Sequence, residues 1–281
     1  MTSLAAPGDG DNADAGRLRQ WLGSKAKAPL IVAAAISCAI FGLLGNLASV
    51  PAERRFQASL FSQPSPILAV VVVFIGLAAC SILLHLIEAA DEPEIPLLGA
   101  VAGLATLSWH GGTMTALLQN SPLAVFPTLA AETVLLGAMI FGCWQLLVRL
   151  SRSVELPPED LQSCLMCAAT AALVMSVAMY FLCPTDSKKQ VMAAVGISAF
   201  IGAAAAYSVF SVRWAGCYLA APLLVGIAGY LLAYFSPGDW HIGHTGQPLA
   251  YPLPLDYASL GTVGSLLGYW TAQKWKHASE D

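Results

Sequence analysis

The stretch 66–87, "PILAVVVVFIGLAACSILLHLI", decides the fold class of this chain. It runs for 22 residues without a Lys, Arg, Asp or Glu. A helix of roughly 20 apolar residues is what the hydrocarbon core of a bilayer requires. The stretch therefore predicts a transmembrane helix.

The whole composition agrees with this local signal. Of the 281 residues, 57% are hydrophobic and only 11% are charged, and the mean hydropathy is +0.68. A soluble domain carries about 25% charged residues. The formal net charge of -4 is spread thinly and no basic stripe is present, which argues against nucleic acid as a partner. We interpret the chain as a polytopic membrane protein whose main partner is the lipid bilayer.

Other apolar stretches of similar length predict an all-α bundle of about eight transmembrane helices. The last stretch is short and contains Gly and Ser, so seven crossings are the alternative. The predicted organisation is a flexible polar tail at 1–28, a transmembrane domain at 29–273 and a short polar tail at 274–281. The further spans are 29–49, 97–118, 127–148, 161–183, 190–211, 214–235 and 256–273.

Lysine and arginine predict the orientation, because cytoplasmic segments carry the excess of these residues. With the N-terminus inside, nine of the thirteen fall in inner segments and four in outer ones. Both termini are therefore predicted to be cytoplasmic, in a plasma or bacterial inner membrane. The inner residues are Arg17, Arg19, Lys25, Lys27, Arg149, Arg152, Arg213, Lys274 and Lys276; the outer ones are Arg54, Arg55, Lys188 and Lys189.

Two GxxxG spacings, Gly99 to Gly103 and Gly264 to Gly268, favour close approach of helix backbones. In a chain with many spans the usual use is packing within the bundle. The alternative is a homo-oligomer or contact with partner membrane subunits.

Ionisable residues inside a span are costly unless they are paired, neutral or near water, so each is a functional candidate. His110 and Glu132 lie eleven residues on either side of Ser121, near the predicted turn between two antiparallel spans. At similar depth in the outer half, they are predicted to form a hydrogen-bonded pair. Such a pair suits a substrate or proton pathway, and the alternative is that it only joins two helices.

The predicted outer loop 236–256 carries the second set of polar candidates. It contains Asp239, His241, His244 and Asp256 and no Lys or Arg. Imidazole and carboxylate groups are ligands for a divalent transition metal, the one cofactor that the sequence suggests. The alternative is a solvated loop anchored at the interface by Trp240, Tyr251 and Tyr257. The letters HIGH within this loop match a nucleotide-binding signature of aminoacyl-tRNA synthetases, but they follow an apolar span and we interpret them as coincidence.

Three functions fit these features. The first is a transporter, permease or channel with a polar site in the outer half of the bundle. The second is a structural or assembly subunit of a membrane complex. The third is a membrane-embedded enzyme with an outer His and carboxylate site; the sequence contains no HExxH, GxSxG or aspartate-rich motif, which argues against it and against any catalytic residue assignment.

Overall fold

The computed structural model describes most of the chain in blocks: residues 37, 40–41, 59–63, 65–88, 94–118, 125–151, 160–236 and 247–280. Within these blocks the fold is all-helical and contains no β-strand, as predicted. The polar tail 1–28 lies outside them. So does the first predicted span, 29–49, apart from Ser37, Ile40 and Phe41, which are helical.

Eight α-helices follow one another in the described residues. They are α1 (Pro66–Glu88), α2 (Glu94–His110), α3 (Met114–Leu118), α4 (Val125–Leu150), α5 (Leu161–Leu182), α6 (Lys188–Phe210), α7 (Gly216–Phe235) and α8 (Thr262–Glu280). Between α7 and α8 lie three short elements: a 3-10 turn Pro248–Ala250, a single α-turn Pro254–Asp256 and a π-helical segment Tyr257–Gly261.

Local chemistry explains several helix ends. Pro66 begins α1, at a position where its missing N–H costs no helical hydrogen bond. The Asp160 side chain accepts a hydrogen bond from the N–H of Gln162 and caps α5. At the C-terminal end of α6, Ser211 adopts a left-handed conformation with φ 54°, which ends the helix.

Five of the described helices are long and apolar enough to cross a membrane, a property of length and composition. These agree with the predicted spans to within a few residues. They are Pro66–Leu86, Val125–Leu150, Leu161–Leu182, Lys188–Phe210 and Gly216–Phe235.

The predicted span 97–118 is not one helix. The structure ends α2 at His110 and begins α3 at Met114, so α2 has 17 residues. The reason is the pair Gly111 and Gly112, since glycine is a poor residue for a helix interior.

The last helix is longer than the predicted span. Helical backbone begins at Pro254, passes without a break through the π-helical segment Tyr257–Gly261 and continues to Glu280, so it contains the whole predicted span 256–273. Residues 274–280, predicted as a polar tail, therefore form the last two turns of α8.

The glycines of the second GxxxG spacing pack within the bundle, as predicted. A Cβ added at Gly264 would overlap the carbonyl oxygen of Gly196, and one at Gly268 would overlap that of Phe200. Hydrogen in place of a side chain lets the backbones of α6 and α8 meet. Gly103 of the first spacing likewise faces Ser37 and Phe41.

The segment from Gln247 to Gly261 is buried in the bundle. Tyr251, Leu253, Leu255 and Asp256 are all at most 8% exposed. The sequence had predicted residues up to 256 as an outer loop that is solvated or anchored at the interface, and for 247–256 this is wrong. Irregular backbone can lie inside a membrane protein where surrounding protein satisfies its polar groups.

Candidate functional site

Polar side chains from six parts of the chain meet at one end of the bundle. At this end α2, α5 and α7 finish and α4 and α6 begin, and the segment 247–261 packs between them. We call it the site end. Its members are separated by up to 148 residues in sequence, so the fold creates the cluster.

A buried ion pair lies at the centre of the site end. Lys188 Nζ is 2.8 Å from Asp256 Oδ1 and 3.0 Å from Oδ2. The Asp256 side chain is 1% exposed and that of Lys188 is 15% exposed. Lys188 is the first residue of α6, and its flexible stem carries the ammonium from the helix start to the carboxylate.

Two further donors complete the environment of the Asp256 carboxylate. The Ser108 hydroxyl donates to Oδ1, and the backbone N–H of Leu253 donates to Oδ2 at 2.8 Å. The second bond is local, because Asp256 is the third residue of the α-turn that Leu253 caps. Every carboxylate oxygen thus has two donors, which offsets the large cost of removing its charge from water.

A second carboxylate lies in the connection between α5 and α6. Asp186 Oδ2 accepts a hydrogen bond from the N–H of Thr115, the second residue of α3, at 2.8 Å. Its other oxygen, Oδ1, is buried and has no hydrogen-bond partner in the part of the chain that the structure describes. Burial, together with the negative charges of Asp186 and Asp256, raises the pKa of the Cys183 thiol to about 12. Both carboxylates therefore lie near Cys183, and this thiol stays protonated at neutral pH.

Two tyrosines hold the irregular segment 247–253, which precedes the last helix, in place. Tyr230 donates its hydroxyl to the carbonyl of Pro252 at 2.5 Å, and Tyr257 donates to the carbonyl of Leu249 at 2.7 Å. Gly229 makes this possible, because a Cβ there would overlap the Leu249 carbonyl oxygen. These bonds satisfy carbonyls that helix geometry leaves without partners.

Glu132 is fully buried, but it does not bind His110. Its carboxylate accepts hydrogen bonds from the Ser59 hydroxyl and, at 3.0 Å, from the N–H of Leu60. His110 is exposed, and its Nδ1 lies 2.7 Å from the carbonyl oxygen of Thr106. The predicted pair is therefore not formed.

The physical reason lies in two features of the chain. The break after α2 leaves His110 at an exposed helix end instead of inside a span. The turn at 59–63 then supplies the donors that the buried carboxylate needs. Glu132 fixes this turn against α4.

We expect Glu132→Gln to change stability little, because the amide oxygen still accepts from Leu60 and the amide group still pairs with the Ser59 hydroxyl. Glu132→Ala should cost about 1–3 kcal/mol, since the buried donors of the turn lose their acceptor. Thermal unfolding of the two purified variants measures this difference. Equal losses in both variants would show that the negative charge itself is needed.

The metal candidates do not come together in the described residues. Asp239, His241 and His244 lie in 237–246, outside those residues. Asp256, the fourth candidate, is bound to Lys188, Ser108 and Leu253 inside the bundle. Across the described blocks, no group of three or more His, Cys, Asp or Glu side chains has an arrangement that could hold a metal ion.

Sequence reasoning missed Lys188, Ser108 and Asp186. Lys188 entered only as an outer charge in the orientation count. A signal was present, because an acid and a base each stand at the start of a predicted apolar span. Asp256 is the first residue of the predicted span 256–273, and Lys188 lies two residues before the span 190–211. Two such residues at one end of a bundle are candidates for a pair.

Comparisons with protein-family models, with characterised proteins and with solved structures find no match to this chain. The geometry of the site end therefore carries the functional argument.

Proposed function

We propose that this protein is a proton-linked membrane transporter of the permease type, with its polar site at the Lys188–Asp256 pair. The main support for the proposal is the buried Lys188–Asp256 ion pair, which lies beside the buried irregular backbone of the segment 247–253. In transporters, interrupted helices expose backbone groups at the binding site, and the site lies where irregular backbone is shielded by protein.

Two further features support it. The π-helical segment follows Asp256 directly, and π-helical turns occur frequently at functional sites. The ion pair itself is costly for a purely structural contact. A pair of apolar residues of similar volume is often at least as stabilising, so the buried pair favours a functional use.

The test is proton flux into proteoliposomes that contain a trapped pH indicator. A panel of gradients is applied in turn: alkali cations, amino acids, sugars and organic acids. We expect at least one gradient to drive protein-dependent proton movement. Asp256→Asn should remove this flux in protein that is still folded, and Lys189→Gln should retain it as the control for a neighbouring exposed lysine.

Absence of protein-dependent flux would contradict the transport function. If folded protein leaves liposomes no more permeable than empty ones under every gradient, the transport proposal fails. Stable co-purification of a membrane partner would then favour the assembly-subunit function, and turnover of a substrate without flux would favour an enzyme.

We also propose that both termini face the cytoplasm, as the nine-to-four distribution of Lys and Arg predicts. Reporter fusions after residues 120 and 281 should then report opposite sides of the membrane, with residue 281 inside. The same side for both fusions would contradict this orientation.

A further inference from the structure

Three cysteine thiols meet at the end of the bundle opposite the site end, where α5 and α7 begin. Cys164 and Cys167 lie in the first two turns of α5, and Cys217 is the second residue of α7. The Cys217 thiol is hydrogen-bonded with the thiols of both cysteines of α5. We call these three residues the thiol cluster. It exists because α5 packs against α7.

The thiol cluster is shielded from solvent and is reduced. Cys164, Cys167 and Cys217 are 7%, 0% and 2% exposed, and they form no disulfide with one another. A single cysteine in apolar surroundings acts as a small hydrophobic residue. A thiol that contacts two others has a further chemistry, because two neighbouring thiols can be oxidised to a disulfide.

The two thiols of α5 differ in their surroundings. Cys167 is fully buried and is also hydrogen-bonded with the Tyr218 hydroxyl, which donates to the carbonyl of Val212 at 2.8 Å. Cys164 is the most exposed of the cluster and lies nearer the helix start. Because oxidation of a thiol depends on its accessibility, Cys164 is the thiol that an oxidant reaches first.

We propose that the thiol cluster is an oxidation site for a small hydroperoxide, at which Cys217 forms a reversible disulfide with the cysteine pair of α5. Hydrogen peroxide is the simplest such oxidant. It is uncharged, so it enters an apolar site without the cost of burying a charge. The inference does not depend on the proposed transport function.

The reaction has two steps. The Cys164 sulfur attacks one peroxide oxygen and the O–O bond breaks; Cys164 becomes a sulfenic acid, and its thiol proton leaves with the other oxygen as water. The Cys217 sulfur then attacks the Cys164 sulfur, the S–O bond breaks, and the hydroxyl leaves with the Cys217 proton as a second water. Two thiols and one H₂O₂ thus give one disulfide and two waters. Attack of Cys167 on Cys217 then moves the bond and returns Cys164 as a thiol.

The location of the thiol cluster suits a reversible bond. With both termini in the cytoplasm, as proposed above, the end at which α8 finishes and α5 and α7 begin is the cytoplasmic one. Thiols in that compartment are kept reduced, and disulfides there are usually transient and redox-sensing. The bond would join the starts of α5 and α7, and both helices finish at the site end. Oxidation would therefore restrain two helices that build the site.

The test is a thiol count and a peptide map of the purified whole chain. Protein reduced with dithiothreitol is freed of the reductant, treated with a series of hydrogen peroxide concentrations, denatured and alkylated with N-ethylmaleimide. We expect loss of about two thiols per protein and, by tandem mass spectrometry, a link from Cys217 to Cys164 or Cys167. Dithiothreitol should restore both thiols. The oxidised protein should also melt at a higher temperature, because a disulfide constrains the unfolded chain.

Variants separate the roles of the thiols. Cys164→Ser should slow formation of the link several-fold, because the less exposed Cys167 must then react first. The double variant Cys164→Ser with Cys167→Ser should form no link to Cys217. Cys143→Ser is the matched control, since Cys143 is a buried cysteine of α4 outside the thiol cluster. It should behave as the unmodified protein.

Two results in the unmodified protein would overturn the proposal. One is that folded protein loses no thiols, or loses them only to acids that dithiothreitol does not reduce. The other is a disulfide that maps elsewhere, including one within the cysteine pair of α5. Neither reading needs a variant to fold, and neither uses proton flux. Failure of this inference and failure of the transport function are therefore distinguishable.

Discussion

Asp256→Ala should lower the free energy of unfolding by about 3–5 kcal/mol, the cost of removing one partner from a buried ion pair. The substitution leaves the Lys188 ammonium beside a site that is closed to water on the carboxylate side. It also removes the acceptor for the Ser108 hydroxyl and the Leu253 N–H. The α-turn before the π-helical segment then loses the contact that joins it to α2 and α6.

Unfolding can be followed with a thiol-reactive dye, because the six cysteines in the described residues form no disulfide with one another and are buried. The double variant Lys188→Met with Asp256→Leu should recover most of the loss, since paired apolar residues tolerate the same burial. Lys189→Met is the matched control, because Lys189 is exposed and its Nζ lies over the Trp109 ring at 5.9 Å. A single Asp256→Ala variant as stable as the unmodified protein would contradict a buried ion pair.

Gly264→Leu should prevent stable packing of α8 and cost more than about 3 kcal/mol, at the upper end of what overpacked cores show. Even the first carbon of a side chain would overlap the Gly196 carbonyl oxygen, which is backbone and cannot rotate away. The expected result is little monodisperse protein after extraction, measured by size-exclusion chromatography.

Gly142→Leu is the matched control for this substitution. Gly142 is also helical, but it is exposed and has no atom within 4 Å of an added Cβ. It should fold normally, and replacing glycine in a helix interior should stabilise slightly. Equal loss from both variants would show that the effect comes from leucine at any glycine and not from the α6–α8 contact.

The long helices were predictable because length and apolarity alone define a span. The predicted span 66–87 corresponds to the helix Pro66–Glu88, and the predicted span 161–183 corresponds to the helix Leu161–Leu182. The break after His110 was not predicted, because a hydropathy run averages over two glycines. The burial of 247–256 was also not predicted. Prolines and tyrosines are typical of loops and of the membrane interface, and the partners that bury them, such as Tyr230, lie on another helix.

The candidate site was predictable only in part. Glu132 was recognised as a buried carboxylate from its place in an apolar run. Its partner was assigned wrongly, because Ser59 and the Leu60 N–H are uncharged groups more than 70 residues away. Asp256 was recognised as a ligand-type residue, but a single sequence does not indicate which cation reaches it. That assignment needs the packing of α2, α6 and the segment 247–261.

The π-helical segment Tyr257–Gly261 sets the rotational phase of α8 relative to Asp256. Each residue turns an α-helix by about 100°. An extra residue would therefore rotate the following helix, but the wider π turn accommodates one extra residue without this rotation. Removing one residue from this segment would restore a regular α-helix and keep Gly264 and Gly268 against α6, whereas inserting one more would rotate them away or pull Asp256 from Lys188. Between the ion pair and the glycine contact, the chain should therefore tolerate loss of one residue from the π-helical segment better than gain of one.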